Sequence, residues 1–185
     1  MERLLLSEII DFIDNRDIYI VSSGVPLDGV VIEGAPVLVR LNSSRRWGDC
    51  DIWFNNQSQD PKFQHDSQGS GGERFIIRAN GDRNGANMRR NFPTEWAHTY
   101  FWPVEDWETM TEEMQVPRPL TGTIAAYWFH KYTTSKLFLI NYDFYETNKR
   151  HTVRNIPQPA PVHKPWLDKA YLETLDRIEY LWIIP

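Results

Sequence analysis

At 185 residues, with 41% hydrophobic and 24% charged side chains, the chain has the size and balance of one globular domain and not of a disordered or fibrous protein. A formal net charge of −5 excludes a global electrostatic attraction to nucleic acid and argues against nucleic acid as a partner. The single cysteine, Cys50, excludes an internal disulfide; with no secretory signal pattern at the start and no apolar run of bilayer length, the expectation is a soluble, cytoplasmic protein without a membrane span.

Residues 4–14 place apolar side chains at helical intervals and predict an amphipathic opening helix. The period then changes. Asp17-Ile-Tyr-Ile-Val-Ser-Ser-Gly24 is a β-branched run that breaks on small residues, as a buried strand leading into a tight turn does. Segments 36–42 and 51–55 repeat that form and end on Asn42 and Asn55; 75–78 and 136–141 follow it. Strands with small or amide residues at their ends predict an α/β sheet whose site lies at the strand C-termini. Residues 56–73, rich in Gln, Ser, Gly and Asp, read as a loop. So does 79–91, whose Asn-Gly pairs and arginines make it either an exposed turn or an anion or acceptor contact.

Arg118-Pro-Leu-Thr-Gly122 then sets a cation and a Thr-Gly pair ahead of an apolar run of helical length. The first turn of a helix leaves N–H groups without intrahelical acceptors, and the macrodipole adds positive charge there, so an anion fits. Thr121 can act as N-cap, Gly122 can let a ligand reach the backbone, and the Arg118 guanidinium can grip a carboxylate or phosphate. The plainer alternative is a capped, buried helix with Arg118 in solvent. A Pro-rich stretch covers 157–165, helical periodicity resumes at Leu167, and 180–185 reads as a last strand.

Taken in order, these fragments resemble the bacterial sialyltransferases of glycosyltransferase family forty-two, which move sialic acid from a CMP donor to a sugar hydroxyl. Ile20-Val-Ser-Ser-Gly-Val-Pro-Leu27 resembles the family's opening strand and Gly-Asn-Gly-Pro-Ser turn, Val39-Arg-Leu-Asn42 its second strand, and Ile52-Trp-Phe-Asn55 its third. Arg118-Pro-Leu-Thr-Gly122 is similar to its Arg-Ile-Thr-Ser-Gly loop, and Ile140-Asn-Tyr-Asp-Phe-Tyr145 to its Gly-Ile-Asp-Phe-Tyr. The run from His163 to Leu175 is similar to its His-led last helix.

The resemblance implies a single Rossmann-like α/β domain over 1–185, a mostly parallel sheet flanked by helices in a glycosyltransferase-A variant, with a short lid at 145–163. It implies transfer without a metal or cofactor, from a CMP-sugar donor, CMP-sialic acid, to a glycan acceptor. His163 would be the general base, Tyr145 would hydrogen-bond the departing phosphate, and His151 stands where the family has a second tyrosine. Ser23, Gly24, Asn42, Asn55, Thr121 and Gly122 would bind the donor, with Arg118 near donor or acceptor charge. There are departures: Ser23 replaces the family's Asn, and the lid is shorter. Asp49-Cys-Asp51 mimics the metal-holding Asp-x-Asp of other glycosyltransferases but precedes its strand instead of following one. Two other readings stay open, a non-catalytic nucleotide or nucleotide-sugar binding module and a transferase acting on modified nucleic acid bases.

Overall fold

The computed structural model describes residues 4–22, 32, 34–42, 48–56, 73–79, 98–142, 144 and 163–182. Helix α1 (Leu6–Ile13) forms where Ile9 and Ile13, four apart, bury one face, and Glu8 accepts the Leu5 N–H at 2.7 Å to satisfy an orphan donor at its start. It stops at Asp14 and Asn15, both left-handed.

Strands β1 (Ile18–Val21), β2 (Val37–Leu41), β3 (Ile52–Asn55), β4 (Phe75–Arg78) and β5 (Thr99–Phe101) come next, then helices α2 (Val104–Met114) and α3 (Thr121–Tyr132). Strand β6 (Leu137–Ile140), helix α4 (Pro165–Leu172) and strand β7 (Ile178–Leu181) complete the described elements. All the strands join one sheet in the order β5-β4-β3-β2-β1-β6-β7, and every pairing is parallel. This is the Rossmann-like α/β architecture expected from the sequence, with a wholly parallel sheet.

From β1 to β6 both faces of the sheet are largely buried, which is why those strands read as mostly apolar runs and not as alternating ones; edge strand β7 is part-exposed. Ile20, Val39, Phe54, Ile77 and Leu139 share one cluster with side chains of all four helices. The intervening residues face the other way, and Val21, Trp53, Ile76, Phe101 and Ile140 are buried there.

Helix α3 is buried on every side from Gly122 to Phe129. Its Tyr127 hydroxyl donates to Glu113 of α2, Tyr132 donates to Asp106 of α2 at 2.9 Å, and the Tyr127 ring lies 6.4 Å from that of Tyr171 on α4. At its C-terminus Arg177 donates to the carbonyls of Thr133 at 2.8 Å and His130 at 2.9 Å, so a guanidinium neutralises the negative end of the helix. Two expected boundaries move: α4 begins at Pro165, where a missing N–H costs nothing, and β7 begins at Ile178.

Candidate functional site

The connections run outward from β1 through β2 to β5 on one side, and β6 and β7 lie on the other. Beta-strands β1 and β6 therefore flank the switch point, where a parallel α/β sheet opens a crevice beyond its strand C-termini. Ser22 follows β1 there, Asn42 follows β2, Asn141 and Tyr142 follow β6, and α3 starts at the same edge.

Asn42 and Thr121, 79 residues apart, are brought into contact. The chain turns left-handed at Asn42 (φ 45°), which breaks the strand alternation and redirects its side chain. Its Nδ2 donates to Thr121 Oγ1 at 2.9 Å, and its Oδ1 accepts the Asn56 N–H at 2.9 Å. A backbone N–H can only donate, so that second bond fixes which way round the amide sits. The Asn42 carbonyl also accepts Trp53 Nε1 at 2.8 Å. Asn42 therefore ties β2, β3 and α3 together at the site edge.

Two local expectations are corrected. Thr121 is not the N-cap: Leu120, extended at φ −65° and ψ 148°, takes that place, and the Thr121 hydroxyl faces Asn42 instead. Gly122 is not open to a ligand on its side-chain side, because a Cβ there would lie 2.5 Å from both Cε1 and Oη of Tyr142. Arg118 meets His163 through its main-chain carbonyl, while its side chain is exposed.

That last contact defines the chemistry of the edge. His163 Nδ1 lies 2.7 Å from the Arg118 carbonyl oxygen. A carbonyl only accepts, so in the neutral ring Nδ1 carries the hydrogen and Nε2 keeps its lone pair. Arg118 itself is left-handed (φ 50°) directly before Pro119, a backbone position where extended geometry is the norm.

Asp168, which sequence reasoning passed over, is fully buried beside this turn and accepts the Leu120 N–H on Oδ1 at 2.8 Å. Its Oδ2 has no hydrogen-bond partner among the described residues. Burial pushes the carboxyl above its ordinary 3.8, and the Thr123 hydroxyl, the Leu120 N–H and the attraction of His163 offset this only in part. A raised folded-state value means the stability this group contributes is complete below 3.8 and is lost as pH rises through the folded value. Asp168→Asn keeps an acceptor for Leu120 without the titration, so its stability relative to wild type should rise from about pH 3 to 7 in urea unfolding. A flat difference would remove burial as the cause.

Asn55 is buried on the sheet face away from the helices and registers with Arg78, whose guanidinium burial lowers to about 10. Asp51 accepts the Leu38 N–H at 2.8 Å ahead of β3, at the sheet edge opposite the switch point, so the Asp-x-Asp pair is not where a donor phosphate would sit. No group of three potential metal ligands occurs among the described residues. A cavity of about 370 Å³ between the C-terminal ends of α1 and α3 also lies at that opposite edge and touches none of the site residues. Ser23, Gly24, Tyr145, His151 and the lid up to residue 162 lie outside the described residues. No described helix is long and apolar enough to cross a membrane. Comparisons with protein-family models, with curated proteins and with solved structures returned no match, so the fold and the geometry of this edge carry the functional reading.

Proposed function

We propose that the chain is a glycosyltransferase of sialyltransferase type, moving a sugar from a CMP-linked donor, CMP-sialic acid, to a glycan hydroxyl without a metal. The observation that carries this reading is the His163 imidazole, tied through Nδ1 to the Arg118 carbonyl at the start of α3, with Nε2 left as a base. In the proposed step Nε2 takes the acceptor hydroxyl proton as that oxygen bonds to the anomeric carbon. The bond from that carbon to the CMP phosphate breaks, and CMP leaves with the electron pair. Tyr145 and His151 are assigned to hydrogen-bond that phosphate, where donors matter more as charge develops.

The test is thermal unfolding with a nucleotide panel, because a ligand that binds only the folded chain stabilises it by about 2.7 kcal/mol at 100 times its Kd. CMP and CMP-sialic acid should raise the melting temperature more than UMP, UDP-sugars or GDP-sugars, and EDTA should change nothing. Equal responses, or none, would remove the donor assignment. A non-catalytic nucleotide or nucleotide-sugar binding module is the second reading, favoured by the shorter lid and by Ser23 in place of the family's Asn. Tight CMP binding without transfer to any acceptor sugar selects it.

A further inference from the structure

We propose that Asp168 is a positioning residue for His163, holding the strained 118–120 turn whose carbonyl fixes the imidazole. The inference rests on the reading of His163 as the base and deepens it.

Arg118 adopts a left-handed backbone before a proline, which a non-glycine residue keeps only when its surroundings enforce it. Two contacts from the segment that forms α4 bracket the turn. On one side the His163 ring binds the Arg118 carbonyl; on the other, two residues along, Asp168 Oδ1 receives the Leu120 N–H. Asp168 is fully buried, so its carboxyl cannot exchange this bond for water. His163, by contrast, is part-exposed, and its hydrogen bond alone can be replaced by solvent. Loss of the Asp168 contact therefore lets Arg118 relax from its left-handed to an extended backbone, the carbonyl turns away, and the ring is free to carry its hydrogen on Nε2, which removes the base.

The tautomer of His163 reads this directly, by long-range nitrogen–proton NMR of the imidazole, with the signal assigned from the spectrum of His163→Ala. The wild type should show the Nδ1–H form. Asp168→Ala should lose that preference, and Asp168→Asn should restore it, because an amide oxygen still accepts the Leu120 N–H. Leu120→Pro removes the same bond from the donor side, and its φ of −65° already suits proline, so it should release the tautomer as Asp168→Ala does. Persistence of the Nδ1–H form in Asp168→Ala or in Leu120→Pro overturns the proposal. So does failure of both variants to unfold cooperatively, since the contact is then architectural.

Transfer assays separate this outcome from the enzyme reading. In a transferring wild type, Asp168→Ala should lower kcat by about 10- to 100-fold with donor KM unchanged, and Asp168→Asn should recover most of it. A released tautomer in a chain that transfers nothing sinks the enzyme reading and leaves the positioning role standing. Full transfer by Asp168→Ala sinks the positioning role.

Discussion

Replacing His163 with alanine is expected to lower kcat by about 10²–10⁴-fold while donor binding and the unfolding midpoint stay close to wild type. The imidazole is part-exposed and, among the described residues, makes one hydrogen bond, to the Arg118 carbonyl, so its removal uncovers no described core residue. On the proposed reading proton transfer alone is lost. Steady-state kinetics with a CMP donor, isothermal titration of CMP and a thermal melt separate the outcomes. A variant that loses binding and stability together would make His163 a structural residue, and one that transfers at the wild-type rate would remove the base.

Gly122→Ala should destabilise the protein by about 1–3 kcal/mol, through overpacking. Alanine is ordinarily the better helix residue by about 1 kcal/mol, so helix propensity predicts the opposite sign. The ring of Tyr142 decides between them: it is buried, and its Cε1 and Oη would stand 2.5 Å from the new methyl carbon. Burial also pushes the Tyr142 hydroxyl well above its usual range. At a chain length of 185, each kcal/mol corresponds to about 2–4 °C in the melting temperature. In a Tyr142→Ala background the same glycine substitution should turn neutral or mildly stabilising. An equal cost in both backgrounds would show that the ring is not the obstacle.

Much of the fold was legible because burial on both faces turns each long strand into an unbroken apolar run. Strand β5 is too short for that signal, with only Thr99, Tyr100 and Phe101. Helix α2 was hidden by its charge, although Trp107, Met110 and Met114 recur at helical spacing and pack into the core. At the site, composition identified which segments meet the sheet edge but not which atoms they use. Thr121 was legible as a helix-start residue, yet its hydroxyl answers to Asn42, 79 residues away. Asp168 and Leu120 are 48 residues apart, and Tyr142 covers a glycine in a different element. Such pairings exist only once the helices have docked, so no local pattern encodes them.

The segment from His163 to Leu181 holds α3 at both ends, with Asp168 at the first turn and Arg177 on the carbonyls of the last. A helix of 12 residues, about 18 Å long, is thereby gripped across its whole length by one stretch of chain that also adds a strand to the sheet. Swinging α4 aside to admit a substrate would break both grips and expose the interior of the fold. That flank of the sheet edge therefore behaves as a fixed wall: any adjustment to a ligand would have to come from other elements, and the His163 ring stands in a frame that is set in advance.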